Sequence, residues 1–308
     1  MIRIVTDSGS MLTPALRTRF DIDIVPMAVI VDGRVYQEGV DLDTTDFYTR
    51  LANGAPITTS APSPGDLLNA YRHAHGLGAT EVLSIHTGAN YSATTNAATL
   101  AASMAPLPVT VIDTGAASFP VSFCVWAASD SLSKGRSAIE ATDAARRAAA
   151  SVGSVFIVGV PQLALDGGRF TAVAGELSPT SVLELGPAGL SELSKVTDVD
   201  AALDVMVAHV AELAARGTLR VAVGDADRPA LAALLVERLR TVTQIHEIVR
   251  YEVGPSVAAH TGPGSIGVVY CPHDHELPSR TRFTRPRAAC GRYGKLGELW
   301  EELPPSIS

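Results

Sequence analysis

The residues able to do chemistry in this sequence are mostly hydroxyls, gathered in short stretches: Asp7-Ser8, Thr58-Thr59-Ser60, Thr87 to Ser92, and Asp113-Thr114. No lysine or arginine stands among them, which suits a hydrogen-bonding pocket better than a polyphosphate cradle. His260 lies in Ala258-Ala-His-Thr-Gly262, flanked by small residues that leave room around its ring. It reads equally as a satisfied core or loop histidine and as a donor to an anion or a general base, since imidazole donates at either nitrogen and titrates near neutrality. Ser92, with Thr94 and Thr95, opens an Ala-rich stretch. A serine there serves as an N-cap, and the same geometry turns a hydroxyl and backbone N–H groups toward a carboxylate or phosphate. Ser92, His260 and an aspartate would together make a serine hydrolase or acyl transferase, although no Gly-x-Ser-x-Gly elbow surrounds Ser92.

Two further motifs weigh less. Gly262-Pro-Gly264-Ser-Ile-Gly267 fits the dinucleotide fingerprint as a pattern, yet a strand-like Gly267-Val-Val-Tyr270 follows it where a helix is required. A tight turn into a strand is the expectation. Cys271-Pro-His273-Asp-His275, with Cys290 beyond it, resembles a metal cluster, but no second spaced pair completes a zinc site. No metal is expected, and a zinc-dependent interaction module is the weaker alternative.

These residues sit in loops that regular elements must hold. Ile2 to Thr6 reads as a buried strand, Ile22 to Val31 and Arg34 to Tyr36 as strands around an Asp32-Gly33 hairpin turn, and Glu81 to His86 and Val109 to Asp113 as two more. Thr44 or Thr45 caps a helix through Leu51. Pro56 to Pro64 reads as a hydroxyl-rich loop whose end, Ser63-Pro64-Gly-Asp66, starts a helix to about His75. Helices are predicted over Ser92 to Met104, Val121 to Leu132 and Ala138 to Ala150. Beyond Ser151-Val-Gly153 come strand-like Val155 to Val160, Arg220 to Gly224, Glu247 to Val253 and Ile266 to Tyr270, with helices near Asp198 to Arg216 and Arg228 to Thr241. The alternation predicts an α/β protein: a mostly parallel, helix-covered sheet in residues 1–153 and a second α/β or α+β domain in 154–308. In such sheets ligands gather beyond the carboxyl ends of strands, where the hydroxyl loops fall.

Composition bounds the rest. With 308 residues, 46% hydrophobic and only 18% charged, the chain has material for two aliphatic cores and is not disordered. Its longest apolar runs are far shorter than the roughly 18 to 20 residues of a membrane span. The acid at Asp7 interrupts any export signal, and three scattered cysteines suit a reducing compartment, so a cytoplasmic location is expected. The net charge of −8 argues against nucleic acid as a partner. Arg280, Arg282, Arg285, Arg287, Arg292 and Lys295 nonetheless make residues 275–308 a basic tail on an acidic body, suited to transient contact with an acidic partner or membrane surface.

Taken in order, Val5-Thr-Asp-Ser8, Pro56-Ile-Thr-Thr-Ser-Ala-Pro-Ser63, Ser84-Ile-His86, Ser92-Ala-Thr94, Val111-Ile-Asp113, Asp166-Gly-Gly-Arg169 and Ala259-His-Thr-Gly-Pro-Gly264 resemble the DegV family over roughly residues 1 to 270. The resemblance implies a two-domain fatty-acid-binding protein without cofactor, the lipid-carrying subunit of a bacterial fatty-acid kinase serving phospholipid metabolism. It implies a long-chain fatty acid in a tunnel between the domains, its carboxylate held by Thr59, Ser92 and His260, with Ser60, Thr94 and Arg169 supporting the pocket. It further implies that the chain is no enzyme by itself and that a separate ATP-dependent kinase subunit phosphorylates the presented carboxylate. Two departures touch the pocket: the usual Leu-Ser-Gly-Thr reads Tyr91-Ser-Ala93-Thr, and Pro120 replaces a small residue.

Overall fold

The computed structural model describes residues 1–166, 178–186 and 188–273; Arg169, His275, Cys290 and the basic tail lie outside the described residues. Met1–His273 form one compact unit. Its first sheet is wholly parallel, in the order β2 (Asp23–Val25), β1 (Ile2–Asp7), β6 (Glu81–His86), β7 (Val109–Asp113). Strands β1 and β6 are buried along nearly their whole length, as a sheet covered on both faces requires. Arg3 is a buried exception on β1; its guanidinium reaches Asp21 at 2.6 Å and Asp23 at 3.1 Å and so pins the turn between α1 (Pro14–Phe20) and β2.

One face of this sheet is covered by α3 (Pro64–Gly76) and α4 (Thr94–Ala102), the other by α5 (Phe119–Ser133) and α6 (Ala138–Ala149). The expected start of α3 is present in full: Ser63 caps it, Pro64 opens it, and Asp66 completes a capping box. Helix α5 is mostly apolar and buried at nearly every position from Phe119 to Ser129, because it packs on a sheet from both sides. Its second partner is the six-stranded sheet formed after Gly153, in the order β10 (Gly189–Lys195), β9 (Ser181–Gly186), β8 (Gly153–Ile157), β13 (Ile266–Pro272), β11 (Leu219–Asp225), β12 (Ile245–Glu252). Only β11 and β12 run parallel there; the other neighbours are antiparallel. The sheet's outer face packs on α8 (Val199–Ala214) and α9 (Pro229–Leu239), and from its inner face Ala222, Val269 and Cys271 join the core around α5. The chain is therefore mixed α/β, with a parallel sheet and helices.

A third, three-stranded antiparallel sheet, β4 (Arg34–Gln37), β3 (Ala28–Val31), β5 (Ile57–Ser60), shares a core with α2 (Thr44–Ala52) and α10 (Pro255–Thr261). The Asp32-Gly33 hairpin is here, both residues at positive φ. Several expectations need correction. Asp43, not Thr44 or Thr45, caps α2 through its side chain. Ile22 to Val31 is two strands, since Pro26 lacks a ladder donor and separates them. Pro56 to Pro64 contains β5, because Ile57, Thr58 and Thr59 are β-branched and pair with β3 along its whole length. The hairpin β9–β10 and the short helices α7 (Pro161–Asp166) and α10 were not expected.

Candidate functional site

Strand β5 fixes the first site residue. Its side chains alternate, so Thr59, opposite fully buried Val29 on β3, turns inward while Thr58 and Ser60 are exposed. Facing it is His260, one residue from the end of α10; Thr59 Oγ1 and His260 Nε2 lie 3.0 Å apart. The helix holding His260 starts at Pro255 and stops at Gly262, whose φ is +79° and where a Cβ would stand 2.5 Å from that of Val160. That Pro-to-Gly spacing was the readable signal for α10, hidden by the shortness of the helix.

Ser92 comes from the loop between β6 and α4. Gly88 presses so closely on the Gly115 backbone that an added Cβ would meet it at 2.6 Å, and its N–H donates to Ala116 O at 2.7 Å. Asp113 accepts from the N–H groups of Ala89 and Gly115, which ties the same two loops. Ser92 is not the N-cap, which is Ala93. Its Oγ lies one residue upstream, 2.7 Å from Thr94 Oγ1, and accepts from Thr94 N–H at 3.3 Å. Thr94 is itself fully buried behind Ser92.

Thr59, Ser60, Ser92 and His260 all line one cavity of about 430 Å³, within the usual range for small-molecule pockets. Thr94 touches it only through Ser92, and Arg169 lies outside the described residues. Thr87, Ser118 and Tyr91 add polar atoms. The apolar lining comes from the six-stranded sheet, with Phe156, Ile157, Leu185, Val269 and Tyr251, and from Pro120 on α5. No lysine, arginine, aspartate or glutamate lines it among the described residues. Across adjacent strands Phe156, Gly267, Gly224 and Tyr251 form one row. The two glycines leave room there: a Cβ on Gly224 would meet the Tyr251 ring at 2.1 Å, and one on Gly267 the Phe156 Cβ at 2.5 Å. Tyr251 stacks on Phe119 with ring centroids 4.6 Å apart, and burial pushes its hydroxyl up to about pKa 12.

Behind the hydroxyl loops lies a network whose members belong to separate sequence motifs. Asp7 Oδ2 is 2.9 Å from His86 Nδ1, His86 Nε2 is 2.6 Å from Ser84 Oγ, and Ser84 Oγ is 2.7 Å from Tyr71 Oη. Thr87 donates to Asp7 through both its backbone N–H and its hydroxyl. Ser84 and His86 share a face because they are two apart on β6. Asp7, His86, Ser84 and Tyr71 are all fully buried, so they do not line the cavity themselves and instead form a strut under Gly9 and Thr87, which do. Burial by itself would raise the Asp7 carboxyl; the hydrogen bond and charge of His86 and the two bonds from Thr87 outweigh it and hold it below the ordinary value.

The glycine-rich motif is described in full, and the Cys271 to His275 cluster only as far as His273. Gly262 and Gly264 both have positive φ and lead into β13, so the glycine-rich segment is a turn into a strand. Cys271 is buried in the core near Cys124, and His273 stacks on His246 at 3.9 Å. Among the described residues no group of three or more His, Cys, Asp or Glu side chains could hold a metal ion, and no helix is long and apolar enough to cross a membrane.

What the arrangement can do is receive an anionic or strongly polar head at the hydroxyls and His260, and an apolar body along the six-stranded sheet. Known proteins resemble this chain over most of its length. A DegV domain-containing protein of Streptomyces coelicolor is 33% identical over 273 residues, covering 87% of this chain and 97% of that one. A Thermus thermophilus DegV family protein, whose structure is described as showing fatty-acid binding, is 30% identical with a TM-score of 0.79, covering 88% of this chain and 99% of that one. A stearic-acid-binding protein of Eubacterium ventriosum shares the fold at 21% identity, with a TM-score of 0.81 and coverage of 88% and 98%. The family model for the DegV family of uncharacterised proteins matches residues 1–273, the whole compact unit that carries the cavity, and the chain belongs to the DegV family.

Proposed function

We propose that this protein binds a long-chain fatty acid, holds its carboxylate with Thr59, Ser92 and His260, and presents it to a separate ATP-dependent kinase subunit for acyl-phosphate formation. The observation that carries the reading is one cavity that Thr59, Ser92 and His260 line together with an apolar wall and, among the described residues, without a fixed charge. A buried carboxylate costs several kcal/mol unless it receives hydrogen bonds. Two hydroxyls, an imidazole and the N-terminal end of α4 supply them. Each buried methylene adds about 0.8 kcal/mol, so affinity comes mainly from the tail and acid selectivity from the head. The Thermus relative described as binding fatty acid supports the ligand class. The kinase partner rests on the family resemblance, and a cytoplasmic site of action on the early acid Asp7 and the three scattered cysteines.

A hydrolase built on Ser92 and His260 has less in its favour. Ser92 Oγ is engaged with Thr94, and His260 Nε2 with Thr59. The deciding experiment is solvent extraction of the purified protein with mass spectrometry of the lipids recovered. A fatty acid is expected; an extract without lipid, together with no fatty-acid binding in solution, sinks the reading.

A further inference from the structure

The carboxylate of Glu38 does not line the cavity, yet it touches three of the segments that build it. Glu38 follows β4 and is only 6% exposed. One oxygen accepts from the backbone N–H of Ser256 at 2.7 Å, and the other accepts from the Ser8 hydroxyl. Ser8 Oγ in turn accepts from Met27 N–H at 2.9 Å, while Glu38's own N–H donates to Met27 O at 3.0 Å. Gly254 approaches so closely that a Cβ there would stand 2.7 Å from Glu38 Oε1.

Ser256 is the second residue of α10, where a backbone N–H has no acceptor inside the helix and where negative charge suits the helix dipole. His260 follows four residues later, on the same face and one turn on. Any displacement at the start of so short a helix is carried to the imidazole. Glu38 therefore joins the loop after β1, the approach to β3 and the helix that bears His260. Holding it there is costly. Burial pushes its carboxyl above the ordinary value, the bonds from Ser256 and Ser8 oppose that rise, and the nearby charge of Asp7 adds to it.

We infer that Glu38 is a positioning residue for the ligand carboxylate: it clamps the N-terminus of α10 to the Ser8 loop and thereby fixes His260 opposite Thr59. The inference rests on the fatty-acid reading above. It separates two ligands that share a tail, since a positioning group for the head affects the acid and leaves a neutral ester nearly untouched.

The test titrates wild type and variants with stearate and with methyl stearate. Glu38→Ala is expected to lose about tenfold or more in stearate affinity and less than about threefold for the ester. Glu38→Gln, whose amide oxygen still accepts from Ser256 N–H, keeps stearate affinity within about threefold. In a His260→Ala background, Glu38→Ala costs stearate nothing more, because the two act through one group. Equal losses for both ligands, no loss at all, or losses additive with His260→Ala overturn the assignment. If Glu38→Ala does not fold, Ser8→Ala removes one end of the clamp and decides: a loss confined to stearate supports the assignment, and a parallel or absent loss overturns it. Wild type that binds neither ligand sinks the fatty-acid reading itself, and this assignment with it.

Discussion

Thr59 Oγ1 stands 3.0 Å from His260 Nε2, although 201 positions separate them in the chain. The pair exists because β5 pairs with β3 in a register that turns Thr59 inward, and because α10 packs against that small sheet. The imidazole is thereby oriented by a neutral hydroxyl, and among the described residues no aspartate or glutamate lines the cavity beside it.

Thr59→Ala and Ser92→Ala should each weaken fatty-acid binding by about tenfold, the effect of losing one charge-assisted hydrogen bond of about 1.4 kcal/mol. Displacement of a fluorescent fatty acid measures this directly. A variant with wild-type affinity removes its residue from the head-group site.

Ser92 should resist a serine-directed fluorophosphonate at neutral pH. Its hydroxyl is shared with Thr94, and nothing around it forms a nucleophile elbow. Intact-mass spectrometry after incubation reads the outcome, and stoichiometric labelling at Ser92 would favour the acyl-transfer reading.

Asp7 and Glu38 should give stability opposite dependences on pH. The Asp7 carboxyl is held low in the folded chain. Its contribution is complete above about pH 3.9, the unfolded value, and is lost as pH falls through the folded value below it. The Glu38 carboxyl is held high. Folding then favours its protonated form, so stability declines as pH rises from about 4.3 through the folded value. Denaturant titrations across pH, on wild type, Asp7→Asn and Glu38→Gln, should show each variant flattening its own limb; a variant that keeps the wild-type slope refutes its assignment.

Gly224→Ala should destabilise the chain by about 1 to 3 kcal/mol and reduce acyl binding, because the new methyl displaces the Tyr251 ring that lines the cavity. Urea unfolding gives the first number and stearate titration the second. Unchanged values for both would mean that the ring moves aside without cost.

Much of the architecture was legible in local sequence. Ser63-Pro64-Gly-Asp66 announces a helix because its caps act within four residues, and Asp32-Gly33 announces a hairpin because positive φ is a local demand. Strand β5 resembles a loop in sequence, since its hydroxyls and flanking prolines outweigh three β-branched residues until β3 lies beside it. The edge hairpin β9–β10 escaped for a related reason: Gly189 to Lys195 is mostly exposed and carries no apolar period of its own.

The family, the α/β class and the residue types of the candidate site are all written in local sequence, because motifs and periodicities are carried by neighbours along the chain. Only the tertiary structure decided that Thr59, Ser92 and His260 face one cavity, that Asp7, His86 and Ser84 form a strut beneath it, and that Glu38 holds the helix bearing His260. Those relations depend on strand register and on helices packed between two sheets. Such contacts join residues up to some two hundred positions apart, and no local pattern records them.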